Sequence, residues 1–249
     1  MLRTTARTML AKASPSAVVR KLMETEDAYD ADLWKKVAEQ GWTALGIPEE
    51  YGGFGSFLDL VVVLEETGRV LLPGPFFETM GMAVPALLEA GTEAQKKEVL
   101  TAIAAGDARA TLAFTEPSGR WDAEGVTLGA TKSGDGWTLN GTKLFVPGAG
   151  VADYIVVAAR TRSSGEDGIT LFLVKGRPKG ISVKPLSTLD MTHKWYEVKF
   201  DNVQLGADAL MGEPDKGWAP LRRSLDWATA GICAEMVGGA QKVLEDSVE

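Results

Sequence analysis

The chain has 249 residues, 45% hydrophobic and 24% charged, which is the balance of a globular protein with room for two modest domains. No apolar run approaches the roughly 20 residues of a membrane span, so a soluble, cytoplasmic protein is expected. A net charge of -8 argues against nucleic acid as a partner, and a single cysteine (Cys233) and a single histidine (His193) exclude an internal disulfide and a multi-histidine or cysteine metal site.

The basic N-terminus (MLRTTARTMLAKASPSAVVRKLME) reads as an amphipathic helix interrupted at Pro15, without the continuous apolar core of a secretory signal. Asp30–Gln40 sets Leu33, Trp34 and Val37 on one stripe and stops at Gly41, the pattern of a helix packed on a core. Ser56 opens a second helix that ends at Gly68; apolar on most faces, it is expected to be buried. Thr92–Gln95 forms a T-x-x-Q capping box, in which hydroxyl and amide satisfy each other's backbone donors, and the helix it starts runs to Gly106.

Beyond Gly106 the hydrophobic period changes from about 3.6 to about 2. Short alternating runs follow at Ala110–Phe114, Val126–Thr131, Trp137–Leu139, Lys143–Val146, Asp153–Ala159, Ile169–Val174, Ile181–Lys184 and Glu197–Leu205. Turn residues such as Gly134-Asp135-Gly136, Asn140-Gly141 and Pro147-Gly148 separate them, which predicts a β-barrel or sandwich. From about Gly217 the pattern is helical again, with Leu221, Leu225, Ala228, Ile232, Met236 and Val243 near one face and no stop signal before Glu249. His193 has no nucleophile-elbow motif beside it and is taken as a surface or packing residue.

Four motifs in order, "PEEYGGFG", "LAFTEP", "WTLNGTK" and the following "LFVPGAGVADYIVVAAR", resemble the acyl-CoA dehydrogenase family over nearly the whole chain. The resemblance implies an α+β fold: an all-helical domain over 1–109, a small β-barrel-like domain over 110–214, and over 215–249 the first helix of a C-terminal helical bundle. It implies FAD as cofactor, an acyl-CoA thioester as substrate and electron-transfer flavoprotein as oxidant. It also implies a homo- or hetero-oligomer at full length. The flavin-contacting segments fall on Leu112–Trp121, with Leu112, Ala113, Phe114 and Thr115 facing the ring edge, and on Phe145, Val146 and Pro147.

Two departures from the family pattern touch the chemistry. Where many members have T-E-P-x-x-G-S-D, this chain has Arg120 for the glycine and Trp121 for the serine. Trp121 can stack or donate one N–H near flavin and thioester, and Arg120 can meet a pyrophosphate through its forked donors. Pro147 stands where a threonine often bonds the flavin N5 edge, and it has neither N–H nor hydroxyl.

The family's reaction needs a carboxylate to take the α-proton of the thioester. A minority of members carry it in an L-D-x-E-R context, matched here by Leu225-Asp226-Trp227-Ala228-Thr229, so that position is Ala228. Asp226, Glu235 and Glu245 read as solvated or interhelical charges. The catalytic glutamate is therefore expected beyond residue 249, in a longer dehydrogenase of which this chain is a part. The competing readings are a non-catalytic subunit of a mixed oligomer and a related flavin oxidase or monooxygenase.

Overall fold

The computed structural model describes residues 1–162 and 164–248, and places a helical layer against one face of an eight-stranded sheet. Pro15, with φ at -65° and no N–H to extend the ladder, splits the first helix into α1 (Leu2–Ala13) and α2 (Ser16–Leu22). α3 (Ala31–Glu39) starts at Asp30, whose carboxylate accepts from the Asp32 and Leu33 amides at 2.8 and 3.0 Å, and it buries Leu33, Trp34 and Val37 as expected. α4 (Phe57–Val70) is capped by Ser56 and Asp59 but passes through Gly68, its expected end. It is largely buried, as expected, between α1 and α8: Leu60, Val63, Leu64, Glu66, Thr67 and Gly68 are buried, and only Leu58 is exposed.

A helix that the sequence reading did not delimit follows, with a π-helical turn (Glu78–Ala83) leading into α5 (Val84–Ala90). Pro85 has no N–H to give and its ring crowds the preceding turn, and the wider turn accommodates both. The capping box forms as expected, with the Gln95 N–H on Thr92 Oγ1 at 3.2 Å and the Thr92 N–H on Gln95 Oε1 at 2.9 Å. From it the helix runs through α6 (Glu93–Gln95), a π-helical turn (Lys96–Leu100) and α7 (Thr101–Ala104).

The strands are β1 (Ala110–Ala113), β2 (Gly129–Ser133), β3 (Gly136–Pro147), β4 (Tyr154–Arg160), β5 (Ile169–Lys175), β6 (Ile181–Pro185), β7 (Trp195–Leu205) and β8 (Leu210–Met211). They lie in the order β6-β7-β3-β2-β4-β5-β8, with β1 parallel to β4. The expected barrel does not close: β6 and β8 are free ends of an open sheet, and β8 is two residues long. The two strands expected around Asn140-Gly141 are one. Both halves of β3 pair with β7, from Trp137 against Leu205 to Lys143 against Val198, so the chain runs straight on through a bulge. The positive φ that a hairpin turn would have used is spent there, with Gly141 at φ 141 and Asn140 Oδ1 accepting the Asn202 N–H at 2.7 Å.

β4 and β5 are buried on both faces, which is why they read as continuous apolar runs. Val156, Ala158, Leu171 and Leu173 join the helical core, while Ile155, Val157, Phe172 and Val174 fill a second core inside the curved sheet.

α8 (Trp218–Val248) packs on α4 and α5 with a face that differs from the expected one. Trp218, Leu221 and Ala228 are buried, but Ile232, Met236 and Val243 are exposed, and the rest of the packed face is small: Ser224, Gly231, Ala234 and Gly238. The reason is backbone proximity. A Cβ on Gly68 would overlap Glu235 O, and one on Gly238 would overlap Glu65 O, so glycines on both helices permit the close crossing. Ion pairs border this helical layer, with Arg7 forked onto the buried Glu66 and Arg69 onto Glu245.

Candidate functional site

Alternation along the strands decides which side chains meet the helices. Leu112 and Phe114 at the end of β1 turn toward them, and Ala113 between enters the inner core. At the end of β3, Val146 likewise enters the inner core while Phe145 and Pro147 face the other way. Between these strand ends and the helices lies a cavity of about 480 Å³, within the range of small-molecule sites. Its sheet wall is Leu112, Phe114, Thr115, Trp121, Phe145 and Pro147, and its helix wall includes Phe77, Met82, Leu225, Ala228, Thr229 and Ile232.

The structure thus brings six of the residues predicted from sequence to one cavity and leaves Ala113, Val146 and Arg120 outside it. Arg120 is held by Asp122 instead, with Nε on Oδ1 at 2.9 Å and Nη2 on Oδ2 at 2.6 Å, both side chains exposed. Trp121 stands at the rim, 67% exposed, with its ring edge-on to Phe114 at 5.7 Å. Phe145 has φ 51, a left-handed conformation unfavourable for a bulky residue. It occupies the extra position of a bulge between the pairs Lys143–Val198 and Val146–Tyr196, which presents its half-exposed ring at the mouth.

No ionisable side chain of the described residues lines the cavity. Of its three threonines, Thr188 gives its hydroxyl to Asp190 O at 2.7 Å and Thr229 to Leu225 O at 2.8 Å, which leaves the Thr115 hydroxyl for a ligand. The charges lie one residue behind the walls. Glu116 and Lys143, both buried, pair at 2.6 Å, and Lys143 Nζ also donates to Phe114 O at 3.1 Å. Glu116 further accepts the Thr127 and Leu128 N–H groups, each at 2.9 Å. Burial pushes the Lys143 ammonium down to about 8 against the pull of Glu116. Burial would raise the Glu116 carboxyl, but the Lys143 charge and these hydrogen bonds hold it below the usual carboxylate range.

On the helix side, Glu78 follows the wall residue Phe77 and meets His193 Nδ1 at 3.1 Å; its other oxygen, Oε2, is buried without a partner. His193 therefore packs between elements, as one of the two roles expected for it. Glu235 is the interhelical one of its two expected roles: partly buried, it accepts from Thr67 Oγ1 at 2.8 Å across the α4–α8 contact, and burial raises it to about 7. Glu245 is interhelical, and Arg69 holds it down to about 2. The sequence reading missed Glu116, Lys143 and Glu78, although the first two stand inside the quoted T-E-P and N-G-x-K motifs. Among the described residues no group of histidine, cysteine, aspartate and glutamate side chains can hold a metal ion, and no helix is long and apolar enough to cross a membrane.

Residues 1–107 match the model of the acyl-CoA dehydrogenase N-terminal domain, and residues 111–203 that of its middle domain. A 3-(aryl)acrylate reductase of Clostridium sporogenes is 31% identical over 89% of this chain and 60% of its own length. A short-chain specific acyl-CoA dehydrogenase of Megasphaera elsdenii is 31% identical over 96% of this chain and 64% of its own. The chain thus spans less than two thirds of both relatives. The structure of butyryl-CoA dehydrogenase from Megasphaera elsdenii superposes with a TM-score of 0.87 at 27% identity, covering 99% of this chain and 68% of that one. Matched by both domain models across most of its length, the chain belongs to the acyl-CoA dehydrogenase family, whose members are FAD-dependent flavoproteins.

Proposed function

We propose that the cavity holds the flavin ring of FAD and that the protein dehydrogenates an acyl-CoA thioester between Cα and Cβ. The observation that carries this is the convergence of the T-E-P and N-G-x-K segments on one apolar, aromatic-walled cavity facing α8. Such walls fit a flat ring, and the free Thr115 hydroxyl offers a donor to its polar edge. Pro147 contributes packing alone. Bound FAD supplies the hydride acceptor.

The chain's own residues then have separable tasks. Leu112 and Phe114 support a ring from the sheet side, Trp121 and Phe145 shield the mouth from water, and the Phe77–Met82–Ile232 side leaves apolar space for an acyl group. Ala228 on that side has no proton-accepting atom, and no ionisable side chain of the described residues lines the cavity, so this reading gives the α-proton to a base outside the described wall; a glutamate from a following helical segment fits this need. With this reading come electron-transfer flavoprotein as oxidant, a cytoplasmic location and an oligomeric full-length enzyme.

The chain is expected to retain FAD. Extended through its C-terminal helical segment, it is expected to lose flavin absorbance when a matching acyl-CoA is added without oxygen. Flavin that stays oxidised with thioesters from short-chain to steroid-side-chain size overturns the dehydrogenase reading.

A second reading, a non-catalytic subunit of a mixed oligomer, is favoured by Arg120 being committed to Asp122 and by the absence, among the described residues, of any charged side chain on the cavity wall. Co-purification of a second dehydrogenase-like chain, with less than one FAD per pair of chains, would select it.

A further inference from the structure

We propose that the buried Glu116–Lys143 pair is the positioning element of the cavity, a clamp that fixes how the two sheet-wall segments present themselves to a flat ring. The inference rests on the FAD reading above. Glu116 directly follows the wall residues Phe114 and Thr115, and Lys143 stands two residues before Phe145. One ammonium therefore ties both segments, bonding Glu116 Oε1 at 2.6 Å and Phe114 O at 3.1 Å. Glu116 passes the tie on to the Thr127 and Leu128 amides, so the clamp is anchored in the chain entering β2.

The bond to Phe114 O has a directional consequence. In a trans peptide the C=O and N–H point opposite ways, so holding that carbonyl on Lys143 turns the Thr115 N–H to the other side. The Leu144 N–H on Thr115 O, at 2.9 Å, orients the next peptide in the same manner. These are the amides that a ring edge at the end of β1 would meet. Stability gives no reason for the pair, because two buried charges lose their hydration and apolar replacements of similar size are commonly neutral or stabilising. Apolar side chains would fill the space and orient nothing. The charged groups facing Lys143 are Glu116 and, more remotely, Arg160, whose Nε is bonded to Val126 O at 2.9 Å.

The test compares wild type with the double variant E116Q/K143M, which removes both charges together and keeps one oxygen acceptor for the Thr127 and Leu128 amides. FAD affinity by flavin fluorescence, visible circular dichroism of the bound flavin and thermal unfolding are measured. The double variant is expected to fold, to bind FAD about tenfold more weakly or worse, equal to roughly 1.4 kcal/mol, and to show an altered dichroism band. The wild-type advantage is expected to narrow as pH rises through about 8, where Lys143 loses its proton. A folded double variant with unchanged affinity and dichroism overturns the clamp; if it does not fold, E116Q alone is judged by the same two outcomes. Wild type that binds no FAD overturns the FAD reading instead. The clamp is then decided by amide hydrogen exchange at Leu144, whose N–H is held by Thr115 O and must exchange about tenfold faster in the double variant or the clamp falls too.

Discussion

The one histidine of the chain keeps its proton into alkaline solution. Burial opposes the charge, but the Glu78 carboxylate at 3.1 Å, helped by Glu235 and Asp190, raises His193 to about 9. Its folded value lies above its ordinary one, so the stabilisation is complete below about pH 6.5 and is lost as pH rises through about 9. Chemical unfolding from about pH 6 to about pH 10 is expected to show this loss in wild type and a flatter profile in His193→Gln. Glu235, raised to about 7, withdraws its own contribution at lower pH, between about 4.5 and about 7, so the two steps separate along the pH axis. At the rim, Trp121→Ser is expected to change stability by no more than about 0.5 kcal/mol, the ring being mostly exposed. Iodide should nonetheless quench bound flavin more readily in that variant, and equal quenching would show that Trp121 does not cover the ring. Resemblance led to the wall residues because T-E-P and N-G-x-K are local strings. The pairs behind them join residues 27 and 115 positions apart, and no local pattern in a single sequence reveals such partners.

Among the elements, α8 shows why hydrophobic periodicity misled. The packed face is selected by how near two backbones come, and small residues make that approach possible, whereas the large apolar residues define a stripe that points elsewhere. Gly68 shows the same ambiguity: by sequence it is a helix stop, in place it is the floor of a helix crossing. Gly68→Ala is expected to cost about 1–3 kcal/mol in urea unfolding through overpacking against Glu235 O, although alanine has the better helix propensity. A stabilised variant would mean that the crossing tolerates a methyl group. Asn140-Gly141 failed as a hairpin signal for a related reason, since a bulge and a turn demand the same backbone freedom and only the pairing partner separates them. Capping chemistry was legible because its bonds close within four residues, as at Thr92.

For the molecule as a whole, β1, β4 and β5 belong to two cores at once, and neither core can lose its strands without exposing the other. Helical layer and sheet are therefore expected to unfold in one transition. Val157→Ala, in the inner core, and Leu173→Ala, in the helical core, should each lower the same midpoint, followed by far-ultraviolet dichroism and by tryptophan fluorescence. Separate midpoints for the two signals in either variant would show that the cores melt independently.

The failure of the sheet to close leaves two rims where a foreign strand could hydrogen-bond and seed polymerisation. One rim is guarded by brevity, since β8 offers only two residues. The other ends in the exposed Lys184 and Pro185, a charge that repels another copy of the same rim and a residue with no N–H to lend it. The composition of the sheet's outermost strands is thus expected to oppose edge-to-edge pairing, and replacing Lys184 and Pro185 with valine would remove that safeguard.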